Sequence, residues 1–122
     1  VLDKLYLRDQ KPQDGLTVKS NGMLVRLPFS QLSYVEVNGK HLYFNLADGQ
    51  VREVVGSMKE YEDALLTRPE FMRIHRSYIV NLQRIRSYVK GRVFVSDSEY
   101  IPIGENYRET FQRYIETHYQ NL

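Results

Sequence analysis

The chain contains no cysteine and no tryptophan. Without thiols it has no disulfide framework and no thiolate metal site, which suits a reducing compartment. No apolar run approaches the roughly 20 residues that a membrane-spanning helix requires, and no signal-peptide pattern is present. Its seven glycines are isolated (Gly15, Gly22, Gly39, Gly49, Gly56, Gly91 and Gly104), so neither a P-loop nor a GxGxxG fingerprint exists, and no serine sits in a nucleophile elbow. Histidine is scarce too. His41, His75 and His118 lie far apart, none with a second His or Cys at ligand spacing, which argues against a metal centre. Ser77 shares a strand side with His75, but no third group is at hand to orient a catalytic imidazole. The sequence therefore supports neither a cofactor nor an enzymatic chemistry.

What remains is a globular chain of 122 residues, 42% hydrophobic and 26% charged, long enough for one domain with a real core. Ten tyrosines and five phenylalanines suit half-buried sheets whose edges meet water or a partner. The chain opens at Val1 rather than methionine, as expected of a piece of something longer. Residues 1–14 read as a polar lead-in or linker with one apolar patch at Leu5, Tyr6 and Leu7, and the globular domain is expected at 15–122.

Turn chemistry sets out the elements. Asn21-Gly22 predicts a type I′ hairpin between β-like runs at 16–19 and 23–27, because both central residues of that turn need positive φ. Pro28 closes the second run, and 29–33 is too short for more than one helical turn. A second hairpin is expected around Asn38-Gly39-Lys40, joining 34–37 to 41–46, and Asp48-Gly49 leads into a strand at 50–55. Ser57-Met58-Lys59-Glu60 has the form of a capping box. The helix it opens runs to about Leu66, with Met58, Tyr61, Leu65 and Leu66 on one buried face and Pro69 forbidding continuation. Further strands are expected at 84–89, 92–95 and 100–103, with turns at Lys90-Gly91 and 96–99. From Glu105 a second helix follows, since Tyr107, Phe111 and Ile115 recur every fourth residue beside Tyr114, with Glu105 and Glu109 near its positive end. The fold class is mainly β: antiparallel strands and hairpins with two short helices.

The most distinctive stretch is Phe71-Met72-Arg73-Ile74-His75-Arg76-Ser77-Tyr78-Ile79-Val80-Asn81. In an extended chain Arg73, His75 and Ser77 face one side, and Met72, Ile74, Tyr78 and Val80 the other. Arg76 falls on the apolar parity, so the strand breaks, bulges or ends there. Residues 68–92 hold seven Lys/Arg against one acid, Glu70, leaving ten basic and fourteen acidic residues for the rest of the chain. A basic segment in an otherwise acidic protein is the footprint of a polyanion-binding surface; the competing reading is that strand alternation scatters these cations over both faces. Three places carry groups suited to phosphates or base edges. Asn38, Lys40 and His41 lie at a hairpin tip, Arg76 and Ser77 at the strand break, and Asn106 and Arg108 on the first turn of the last helix, where free amides add a phosphate site. No helix is a convincing basic recognition helix, so loops on a β scaffold would read the duplex.

Residues 71–81 followed by Ile85 closely resemble the signature of the LytTR DNA-binding domain, F-x-R-x-H-x-S-x-x-V-N before the last strands. Leu32 with Tyr34-Val35-Glu36 resembles the family's I-x-Y-I-E strand, with leucine for the first isoleucine. Residues 57–66 resemble its S-L-K-E-L-E helix, and Ile101-Pro102-Ile103-Gly104-Glu105-Asn106-Tyr107 its I-P-I-S-R-x-Y segment. The likeness spans roughly residues 15–116. It implies a β-rich, non-catalytic fold whose loops enter successive major grooves of double-stranded DNA. Such a domain is the cytoplasmic output of a two-component response regulator, behind a receiver domain answering to a sensor kinase. DNA contacts would come from the loop matching Lys40 and His41, from Arg76 after the motif histidine with Ser77 beside it, and from the segment matching 104–108. Arg76 suits a guanine or phosphate contact. Where many members carry Ser-Arg, this chain has Gly104-Glu105, and a carboxylate repels phosphate. That contact is lost, taken over by Asn106 or Arg108, or turned to cytosine N4. His75 reads as a structural imidazole bridging backbone groups, and Asn81 as a side chain ordering a turn. One domain covers only a short site, so two copies, a homodimer on DNA, are expected on promoter direct repeats. The alternative is a protein-interaction module using its sheet edges and exposed tyrosines; the strength and salt slope of DNA binding separate the two.

Overall fold

The structure, a computed structural model, describes residues 15–96 and 98–118. The lead-in expected at 1–14, with its Leu5, Tyr6 and Leu7 patch, lies outside the described residues. Strands β1 (Gly15–Ser20) and β2 (Met23–Pro28) form a hairpin closed by Asn21 and Gly22 at φ 53° and 80°, the type I′ signature. A 3-10 turn, Phe29–Gln31, leads into β3 (Leu32–Asn38), β4 (His41–Leu46) and β5 (Val51–Val55). Helix α1 (Lys59–Leu66) then crosses to β6 (Phe71–His75) and β7 (Tyr78–Asn81). After a 3-10 turn, Leu82–Arg84, come β8 (Ser87–Val89), β9 (Arg92–Phe94) and β10 (Tyr100–Pro102). A last 3-10 turn, Glu105–Tyr107, runs into α2 (Arg108–His118). All pairings are antiparallel. The central sheet has the order β5-β4-β3-β7-β6, and β10-β9-β8 form a smaller one.

The central sheet lies between two apolar cores, which follows from strand alternation. Phe71 and Ile79 join Val35, Leu42, Phe44 and Val54 in a core covered by the β1–β2 hairpin and by Met58 and Leu65 of the α1 region. Ile74 and Val80, of the opposite parity, join Val93, Ile101, Ile103 and Phe111 in a second core under the small sheet and α2. Met72, Tyr34 and Tyr78 pack against this second core, as the expected parity of Met72, Ile74, Tyr78 and Val80 requires.

Four local expectations change. The second helix, expected from Glu105 with Asn106 on its first turn, opens as the 3-10 turn Glu105–Tyr107 and becomes α-helical only at Arg108. Leu66 is 38% exposed, because Leu65 already occupies the buried stripe and the next helical residue is rotated away from it. Only one arm of the capping box forms: the Glu60 carboxylate accepts from Ser57 N–H at 2.8 Å, whereas Glu60 N–H reaches the Ser57 carbonyl, not its hydroxyl. The strand expected at 84–89 begins only at Ser87. Asn81 explains this, since its carboxamide accepts from Gln83 N–H at 2.9 Å and donates to the Leu32 carbonyl at 2.8 Å, winding Leu82–Arg84 into a 3-10 turn.

Candidate nucleic-acid interface

β6 stops at His75, and Arg76 and Ser77 make a two-residue turn into β7. The break expected at Arg76 is therefore a hairpin tip, with Arg76 exposed. Neither residue has positive φ, so the turn is not of the primed type that matches strand twist. The mismatch is taken up by a register shift between Arg73 and His75. The backbone of the turn is held by side chains and by the neighbouring strand instead. Ser77 N–H donates to His75 Nδ1 at 3.0 Å, and the Ser77 carbonyl accepts from Val37 N–H at 2.9 Å. Arg73 Nη2 donates to the Arg76 carbonyl at 2.5 Å, while its Nη1 meets Glu62 Oε1 of α1 at 2.5 Å. His75, edge-on to the Tyr78 ring at 5.3 Å, thus serves the backbone as the sequence implied.

Register carries the other turns to the same end of the sheet. Glu36 pairs with Tyr78 and Asn38 with His41, so the Gly39-Lys40 tip lies beside the 76–77 turn. Gly39 takes φ 63°, the glycine-first arrangement of a II′ hairpin, and leaves Asn38 and Lys40 exposed. The Lys40 carbonyl accepts from Gly56 N–H at 2.8 Å. His41 is turned aside: its Nδ1 lies 2.7 Å from Glu53 Oε2 and its ring stacks on Tyr43. Gly104 N–H donates to the Ile74 carbonyl at 2.7 Å, laying the Glu105–Tyr107 turn across the edge of β6. A Cβ at Gly104 would sit 3.4 Å from His75 Cα and 3.2 Å from the Tyr107 ring, so this approach favours glycine. His75, Arg76, Gly104, Glu105, Asn106 and Tyr107 line one shallow cleft there. Asn106 is exposed there, and Arg108 is exposed beside it.

A fourth turn arrives that the sequence did not single out. Ile103 N–H donates to the Gly91 carbonyl at 2.9 Å, and a Cβ on Gly91 would lie 3.7 Å from Arg108 Nη2. Exposed Lys90 is thereby brought next to Arg108. The Lys90-Gly91 turn was visible; its neighbour was not, because that depends on how the small sheet docks.

The basic segment 68–92 does not form one surface. Arg68 lies 4.2 Å over the Phe29 ring and pairs with Glu70, Arg73 pairs with Glu62, Arg84 donates to the Ser30 carbonyl, and Arg92 lies over the Tyr100 ring. Short antiparallel strands reverse every few residues and deal consecutive cations to opposite ends and faces. Arg76 and Lys90 reach the end where the turns gather, and Arg108, from outside the segment, joins them. Elsewhere, burial together with Glu99 and Glu36 pushes the Tyr34 hydroxyl up to about 12, and burial and Glu36 also raise Tyr78. Among the described residues no group of three metal-ligating side chains occurs, and no helix is long and apolar enough to cross a membrane.

The family model of the LytTr DNA-binding domain matches residues 22–116. Among solved structures, a LytTr DNA-binding domain from Bacillus cereus is similar at 25% identity and a TM-score of 0.66, over 82% of this chain and 94% of that one. No curated protein matches the sequence.

Proposed function

Because the chain belongs to the LytTr DNA-binding domain family, we propose that it reads a specific double-stranded DNA sequence as the output domain of a response-regulator-type transcriptional regulator. The observation that carries this reading is the convergence of Lys40, Arg76, Ser77, Asn106 and Arg108, from three segments distant in sequence, at one end of the sheet. Turns spaced along that end suit successive major grooves. The Arg76 guanidinium, projecting from a hairpin tip, fits guanine O6 and N7, and Asn106 fits an adenine edge or a phosphate. Lys40, Lys90 and Arg108 neutralise phosphates, and the Ser77 hydroxyl adds a neutral phosphate donor. His41, beside Glu53, adds its imidazole to the Lys40 tip. Glu105 disfavours phosphate, so Asn106 and Arg108 carry the contacts of the third segment.

Such a domain performs no catalytic step. Two copies occupy direct repeats at a promoter as a homodimer on DNA. Residues 15–122 form the binding unit, and a receiver domain under a sensor kinase governs it in the cytoplasm. Selection from a randomised duplex pool tests the reading, comparing the parent chain with Arg76→Ala. The parent is expected to enrich a repeated motif, and the variant to blur it at one position of each repeat. Enrichment of nothing, with binding lost by physiological salt, would overturn it in favour of a protein partner.

A further inference from the structure

We infer that α1 braces the Arg76 turn, one of those that face DNA, and that Arg73 and Glu62 are positioning residues fixing where Arg76 points. The inference rests on the DNA-binding reading above and goes beyond it, since neither residue needs to touch DNA.

The 76–77 turn lacks the dihedral signature that would let its backbone close the hairpin unaided. The Arg76 carbonyl is satisfied by a side chain, Arg73 Nη2, and the same guanidinium is held from its other terminal nitrogen by Glu62 on α1. One planar group thus ties a helix carboxylate to the carbonyl of the residue meant to read a base. Lysine, a single ammonium, lacks the fork needed to hold both acceptors in one plane. Parity explains why arginine stands here. Arg73 lies on the face of Phe71, toward the first core and α1, where a half-buried charge is tolerated only if paired. His75 supplies the second tether, accepting from Ser77 N–H.

The neighbouring tip is held differently, by a bond that extends the β4–β5 ladder past His41 and Val55. Gly56 N–H, in the loop entering α1, donates to the Lys40 carbonyl, and the next amide, Ser57 N–H, is capped by Glu60 of α1. The Lys40 tip is thus set by the sheet, and α1 acts on the Arg76 turn alone. Base readout by a bidentate donor depends on sub-ångström placement, so such a brace acts on selectivity more than on general affinity.

The test measures, for the whole chain, binding to the selected duplex and to its single-base variants at every position. It compares the parent, Arg76→Ala, Glu62→Ala, Arg73→Gln, and each of the last two combined with Arg76→Ala, and records the thermal midpoint of each. Glu62→Ala and Arg73→Gln are expected to keep the salt slope. They should lower discrimination about tenfold, within the range one bidentate contact supplies, only at the base pair that Arg76→Ala blurs. In the Arg76→Ala background they should change nothing further. Unchanged discrimination, or an equal loss at all positions, overturns the inference and leaves Arg73 a purely structural residue. If Arg73→Gln fails to fold, Glu62→Ala on the helix surface decides alone. A parent that selects no sequence defeats the DNA reading itself; a selective parent whose Arg76→Ala variant blurs no position defeats only the brace.

Discussion

Glu105 is the residue at which this chain departs most from the pattern it otherwise follows. Its carboxylate is exposed and shares a cleft with Arg76 and Asn106, so on the proposed DNA-binding reading its charge repels that of the backbone. Glu105→Gln is expected to raise affinity for all duplexes by about threefold, the scale of an exposed charge interaction, and the gain should fade at high salt. Titration at two salt concentrations checks this; a loss confined to duplexes with one particular cytosine would instead make Glu105 a reader of cytosine N4. Single residues were legible in the sequence where their role is local. His75 serves an amide two positions on, and Asn81 caps the turn that follows it. Arg73 was not legible as a tether, because its partner Glu62 lies on a helix whose placement over the sheet no short pattern encodes.

At the scale of elements, hairpins were read well because their determinants lie within two residues. Asn21 is the non-glycine residue with positive φ among those described, at 53°. Asn21→Val forces a β-branched side chain into that region and is expected to cost roughly 1–2 kcal/mol of stability, whereas Asn21→Gly should stay close to neutral. Urea denaturation of both variants measures the difference, and the folded Asn21→Val protein should bind DNA as the parent does, since this tip carries none of the converging turns. The misread segment, 84–89, failed for the opposite reason. Its propensity is β, but Asn81 anchors it to the Leu32 carbonyl, 49 residues away in sequence, and the resulting 3-10 turn delays the strand to Ser87. The scattering of the basic segment has the same origin: charge counted along the chain does not say which end of a sheet it reaches.

For the whole molecule, the two cores meet at the central sheet, and groups buried there make stability depend on pH. Tyr34 packs against the second core, and its hydroxyl is pushed from 10.0 up to about 12 by burial first and then by Glu99 and Glu36. A raised folded-state value means that the stability Tyr34 lends is fully present below the unfolded value and lost as pH climbs through the folded one. Between pH 10.0 and about 12 the parent should therefore lose more stability than Tyr34→Phe, whose ring cannot ionise. Thermal midpoints across that window show it, and parallel curves would mean the hydroxyl titrates no differently in the two states.

Asn38, Lys40, Arg76, Asn106 and Arg108 are all exposed and outside both cores, at or past the ends of the strands and turns that position them. Substitution at such solvated positions disturbs stability little. On the DNA-binding reading, the side chains that would choose a target and those that hold the fold are thus largely separate, joined through the tether at Arg73. Side chains at the tips are therefore open to exchange for a new target at little expense to the sheet and its two cores.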